Sequence, residues 1–126
     1  MFLKKLILVA LVVLIAAEAF AASAFKSTMK GWREHQKATT EMISGAKPLD
    51  GAAIRAMLAD YIAGAEKLES GLTGSSTEAK DLRQRFAAFR AEAKAAEGAI
   101  GNEAAVKSHV HKLFTDCKSC HDLYNN

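Results

Sequence analysis

The sequence predicts an all-α fold: an up-down-up-down antiparallel four-helix bundle. Three observations predict it. Apolar residues recur three and four apart in four segments, no segment alternates apolar and polar residues as a strand would, and three short punctuated turns divide the segments. Segments of about 20 residues make helices roughly 30 Å long, and connections of about five residues bring consecutive helices back antiparallel.

The first segment runs from about Ser23 to Ala46 and ends before Lys47-Pro48-Leu49-Asp50-Gly51, because proline disfavours helical geometry in the residue before it. Its buried face is ambiguous, since polar Gln36 and Thr39 fall between apolar Phe25, Met29, Trp32 and Ile43. The second opens on Asp50 as N-cap and carries Ile54, Met57, Leu58, Tyr61, Ala65 and Leu68 along one face. It stops at Ser70-Gly71-Leu72-Thr73-Gly74. In the third, Ser75 and Glu78 fit a capping box ahead of a stripe of Ala79, Leu82, Phe86, Phe89 and Ala93, and Gly98 to Asn102 breaks the helix. The fourth starts at Asn102 or Glu103, with Val106, Val110, Leu113, Cys117, Cys120 and Tyr124 in a near-heptad stripe that makes the two cysteines part of the core face.

Residues 1–22 read as a secretory signal peptide: Lys4 and Lys5 precede an almost unbroken apolar run from Leu6 to Ala17, and small residues follow. Ala19-Phe20-Ala21 and Ala22-Ser23-Ala24 are both acceptable cleavage sites, so the cut falls after Ala21 or Ala24 and residues 23–126 form one domain. The competing reading, a retained membrane anchor, is disfavoured because the apolar stretch, interrupted by Glu18, is short against the roughly 20 residues a span needs. The predicted location is the periplasm, with no membrane association after cleavage. The formal charge of the whole chain is +3, and loss of Lys4, Lys5 and Glu18 leaves +2. That modest charge makes no case for nucleic acid as a partner.

The chemistry sits at the far end. Cys117-Lys118-Ser119-Cys120-His121 is a C-x-x-C-H pentapeptide, and behind an export signal it reads as a covalent haem attachment site near the C-terminus of the last helix. Each thiol of such a site adds to a haem vinyl group to give a thioether, and the adjacent imidazole supplies a nitrogen to the iron. On a helix, residues three and four apart share a face, so Cys117, Cys120 and His121 lie together. Two other readings compete. A thiol-disulfide pair belongs with a mixed strand and helix pattern, which is missing here. A zinc site would draw on His109, His111 or His121, but His109 and His111 are two apart and point in different directions on a helix.

In the predicted topology the end of the fourth helix lies beside the start of the first, so haem on His121 would face Phe25, Lys26 and Met29. Met29 has a thioether able to take the second axial position, as in electron-carrying haem proteins. Met42 lies about 20 Å further along the helix and out of reach, and His35, six residues on from Met29, faces another way. Met29 also has a plainer reading as a core filler, and Trp32, Phe86 and Phe89 as packing.

With these residues in view, the chain resembles a class II c-type cytochrome of the cytochrome c-prime family. Cys117-Lys118-Ser119-Cys120-His121-Asp122-Leu123-Tyr124 is similar to the family's closing motif, and the resemblance spans the whole mature chain. It implies one covalent haem c per chain, thioethers at Cys117 and Cys120, and His121 as proximal ligand. Low-spin members fill the distal side with Met from early in the first helix, where Met29 falls; high-spin members leave it open. The implied function is electron carriage between redox partner proteins, without enzyme activity, and a homodimer is the family default. The alternative is a five-coordinate high-spin protein that binds nitric oxide or carbon monoxide. A third reading, a helical interaction domain with a metal or dithiol clip, needs no haem. Two positions depart from the family: Asn125 stands where Arg or Lys is common, and Phe25 where an early Arg often sits, with Lys26 or Lys30 as candidate substitutes.

Overall fold

The computed structural model describes residues 25–124, which form four α-helices: α1 (25–44), α2 (Gly51–Gly71), α3 (Thr77–Gly98) and α4 (Glu103–Tyr124). The predicted leader over 1–22, both cleavage positions and Asn125 lie outside the described residues. The architecture is the predicted up-down-up-down bundle. Among the described residues no helix is long and apolar enough to cross a membrane.

Helix ends follow local chemistry. Gly45, at φ 87°, takes the left-handed position that closes α1, and its amide donates to the Met42 carbonyl at 3.3 Å. The helix thus stops one turn before Pro48, earlier than the proline rule alone places it. Asp50 caps α2 as anticipated, its carboxylate accepting from the amides of Ala52 and Ala53. The N-cap of α3 is Ser76, which accepts from the Ala79 amide, and not Ser75; the expected capping box is therefore absent, and Glu78 serves as an acidic residue in the first turn. Asn102 caps α4 by accepting from the Ala105 amide at 3.1 Å.

The core settles the ambiguous face of α1. Trp32 is buried, stacks on Phe89 with centroids 4.9 Å apart, and meets Tyr61 edge-on at 5.3 Å. Thr39, read as polar and out of place, is also buried; its hydroxyl donates to the His35 carbonyl at 2.8 Å and lies 3.3 Å from the Met57 sulfur. From the other helices come all six residues expected of α2, then Phe86, Phe89, Ala93 and Ala96, then Val106, Val110 and Leu113. The α4 stripe does not stay sealed to its end. Cys117 and Cys120 are half-buried because the helices part there around a cavity, and Tyr124, Ala79 and Leu82 are half-buried as well.

One glycine governs how α1 seats on α2. A Cβ on Gly64 would come within 2.9 Å of the Trp32 ring and 3.0 Å of the Thr28 methyl. Gly64→Ala gains about 1 kcal/mol of helix propensity, but overpacking a full core costs about 1–3 kcal/mol, and Trp32 is held on its other side by Phe89. The variant should therefore lose about 1 kcal/mol and shift Trp32 fluorescence; an unchanged or raised unfolding midpoint would show that the ring yields freely.

Candidate cofactor site

The last two turns of α4 present Cys117, Cys120 and His121 at i, i+3 and i+4 on one face. Helix ends tend to fray, and two features restrain this one. Lys112 with Asp116 (3.1 Å) and Lys118 with Asp122 (3.2 Å) form i,i+4 pairs along α4. The Tyr124 phenol donates to the Asp81 carboxylate and ties the final turn to α3. Asp81 also accepts from Arg85 Nε at 2.8 Å. The Tyr124 bond, then Arg85, hold the Asp81 carboxyl below the usual carboxylate range, while Asp81 pushes the Tyr124 phenol and the Arg85 guanidinium up.

Two cavities meet at this end. The inner one, about 190 Å³, lies among α1, α3 and α4, with Trp32, Phe86, Phe89 and Cys117 on its walls and Arg85, Lys112 and Asp116 as its charged groups. The outer one, about 560 Å³, opens between α1 and α4 and is bordered by Phe25, Lys26, Lys30, Arg33, Lys37 and Tyr124. Met29, Cys120 and His121 line both. All four residues singled out from the sequence thus gather at one place, with Phe25 and Lys26 beside them as the topology required. Trp32, Phe86 and Phe89 prove to be packing residues and cavity walls at once.

The remaining histidines sit elsewhere. His35 faces α2, its Nε2 2.5 Å from Asp60 Oδ2; His109 pairs with Glu92 of α3 at 2.7 Å; His111 is exposed. Among the described residues no group of three or more His, Cys, Asp or Glu side chains could hold a metal ion.

Burial pushes the Cys117 thiol up to about 12, with the charges of Cys120 and Asp116 adding to it. Cys120 is raised as well, by burial against the opposing pull of Arg85. Both shifts disfavour the thiolate, the form that thiol-disulfide exchange uses. Two neutral thiols and an imidazole on one helical face, beside an apolar cavity with a methionine sulfur on its wall, do fit a covalently held haem.

A curated relative, "Cytochrome c'" of Rhodopseudomonas palustris (strain ATCC BAA-98 / CGA009), is 30% identical over 110 residues, covering 77% of this chain and 75% of the relative. The chain belongs to the cytochrome c-prime family. Cytochrome c-prime is itself an example of the up-down-up-down bundle with short loops, and membership makes this chain a c-type haem protein. No family model and no solved structure matches it.

Sequence reasoning missed Arg85, Asp81 and Gly64. Asp81 and Arg85 stand four apart, which signals an ion pair; that the pair would meet Tyr124 depends on how α3 docks on α4. The depressed Asp81 value means that its contribution to stability is present above the ordinary carboxylate range and is lost as pH falls through the folded value. The raised Tyr124 value means a contribution present below the ordinary phenol value of about 10 and lost as pH rises through the folded one. Tyr124→Phe should lower the unfolding midpoint at neutral pH and flatten both arms of its pH dependence; arms that keep their wild-type shape would assign the titration to other groups.

Proposed function

We propose that the chain is an exported carrier of single electrons, with haem c attached through Cys117 and Cys120, His121 as proximal ligand and Met29 as distal ligand. The observation that carries this reading is the shared wall: Met29 of α1 and Cys120 and His121 of α4 border the same two cavities. Bound there, haem supplies an iron couple that takes up and releases one electron. The residues of the chain do the rest. Cys117 and Cys120 fix the group permanently to α4, which a cavity open on one side would not do by contact alone. His121 and Met29 would hold the iron between them and leave no position for a substrate, and a methionine ligand would raise the potential. Trp32, Phe86 and Phe89 line the inner side, and their close packing would limit rearrangement as charge changes.

Residues 1–22 support export to the periplasm, where redox partner proteins would supply and accept the electrons. Substrate turnover is no part of this reading. The alternative is gas binding: with Met29 unbound, the distal space would admit nitric oxide or carbon monoxide to five-coordinate iron. What supports the first reading over the second is the presence of Met29 on both cavities.

Protein matured in a host competent for haem attachment should show a low-spin spectrum in both oxidation states. Met29→Ala should convert it to high spin and open the iron to carbon monoxide. A Met29→Ala spectrum identical to the wild type would remove Met29 as ligand, and a high-spin, carbon monoxide-binding wild type would favour the gas-binding alternative. Haem should resist acid-acetone extraction from the wild type and be released from the double variant Cys117→Ala, Cys120→Ala; extraction from the wild type would remove the thioethers from the account.

A further inference from the structure

The outer cavity has a charged rim. Lys26, Lys30, Arg33 and Lys37 fall at i, i+4, i+7 and i+11, a spacing that keeps them on one face of α1 for about 16 Å, and all four border the cavity that Cys120 and His121 also line. All four are exposed, and among the described residues none forms an ion pair. Among the described residues the only carboxylate on that rim is Glu34.

Elsewhere charge is balanced. Residues 25–44 hold four Lys or Arg against Glu34 and Glu41, whereas residues 45–124 hold eleven Lys or Arg and eleven Asp or Glu. The whole positive excess of the described chain therefore lies on α1. In α4 each lysine is paired with a carboxylate four residues away: Lys107 with Glu103, Lys112 with Asp116, Lys118 with Asp122. In α1 the spacing of four sets Lys26 against Lys30 and Arg33 against Lys37, like charges that weaken a helix, and although Glu34 and Glu41 stand four residues beyond Lys30 and Lys37, neither lysine pairs with them among the described residues. A solvated surface needs no such arrangement, and it stands over the mouth of the one site where redox chemistry is proposed.

We propose that this basic face of α1 is the docking surface for an acidic redox-partner protein, which the rim steers to the outer cavity so that electrons pass at the edge lying beneath it. This rests on the electron-carrier reading above. Two haem propionates at the same mouth would reduce the positive charge of the rim without reversing it. Cations concentrated beside a low-dielectric cleft raise encounter rates with anionic partners by roughly 10- to 1,000-fold at low ionic strength, and salt removes the effect.

The test uses holoprotein and reduced flavodoxin, a small acidic one-electron donor, in stopped flow at low and physiological ionic strength. Wild-type transfer should slow about tenfold or more as salt rises. The double variant Arg33→Glu, Lys37→Glu, which alters no proposed haem ligand, should be slower by several-fold at low salt with a weaker salt dependence. The quadruple variant with Lys26→Glu and Lys30→Glu added should be slower by about tenfold or more. Equal rates and salt slopes in wild type and both variants would overturn the proposal. So would wild-type sedimentation with phosphatidylglycerol vesicles, lost in the variants, without any change in transfer from flavodoxin; that result would assign the face to an anionic membrane. A high-spin wild type that binds carbon monoxide would instead overturn the carrier reading, whereas salt-independent transfer to a low-spin wild type would overturn the docking face alone.

Discussion

The seating of Trp32 is the contact on which the rest of the site depends. Its ring stacks on Phe89 of α3, meets Tyr61 of α2 edge-on, and rests over Gly64, where α2 has no side chain to hold it off. A ring held from three directions cannot slide, so the height and rotation of α1 are set there. Met29 is three residues earlier, nearly one turn away, and inherits its position from that contact. Phe86 and Phe89 close the inner cavity from the side of α3 while they pack against the same ring. Core and site are built from the same atoms, and a change in packing here is a change in the environment of the cofactor.

Polarity is divided across this end of the bundle. The inner cavity is walled by aromatic rings and the half-buried Cys117, with Arg85, Lys112 and Asp116 as its charged groups, and burial pushes both thiols up. The outer cavity is walled by exposed cations of α1. Met29, Cys120 and His121 stand at the boundary between the two. For the proposed carrier this is the useful division. Aromatic packing on one side would hold a fixed ligand set, and the exposed cations on the other would leave a face that a second protein can approach.

The fold was legible because the information it needed was local. Six apolar residues of α2 at three-and-four spacing are the six that the structure buries, and Asp50 and Asn102 cap their helices as residues of that type do anywhere. The gathering of Met29 with Cys117, Cys120 and His121 followed from topology, since an even number of antiparallel helices returns the end of α4 to the start of α1. What was not legible depended on how helices meet. Thr39 reads as polar by composition and is buried because its hydroxyl bonds back to the His35 carbonyl. Ser76 wins the cap from Ser75 by one residue, a difference below what a run of small polar residues can specify. Gly64 and the link from Tyr124 through Asp81 to Arg85 become visible only once a partner helix is in place.

A cofactor site at the end of a bundle is built from the parts of helices that are least stable, since terminal turns lack half their hydrogen-bond partners. Two devices offset that weakness here. The bond from Tyr124 to Asp81 joins the last turn of α4 to a carboxylate in the first turns of α3, so that fraying of either end requires breaking the other's contact. The proposed attachment through Cys117 and Cys120 would remove the second difficulty, that a half-open cavity holds a ligand weakly. With the cofactor secured in that way, the walls would not need to enclose it, and one side would be free to carry the exposed charges of α1 where a tight non-covalent site would require apolar cover. The position of the motif at the end of the last helix and the basic face of the first helix are then parts of one arrangement, in which permanent attachment permits an open edge.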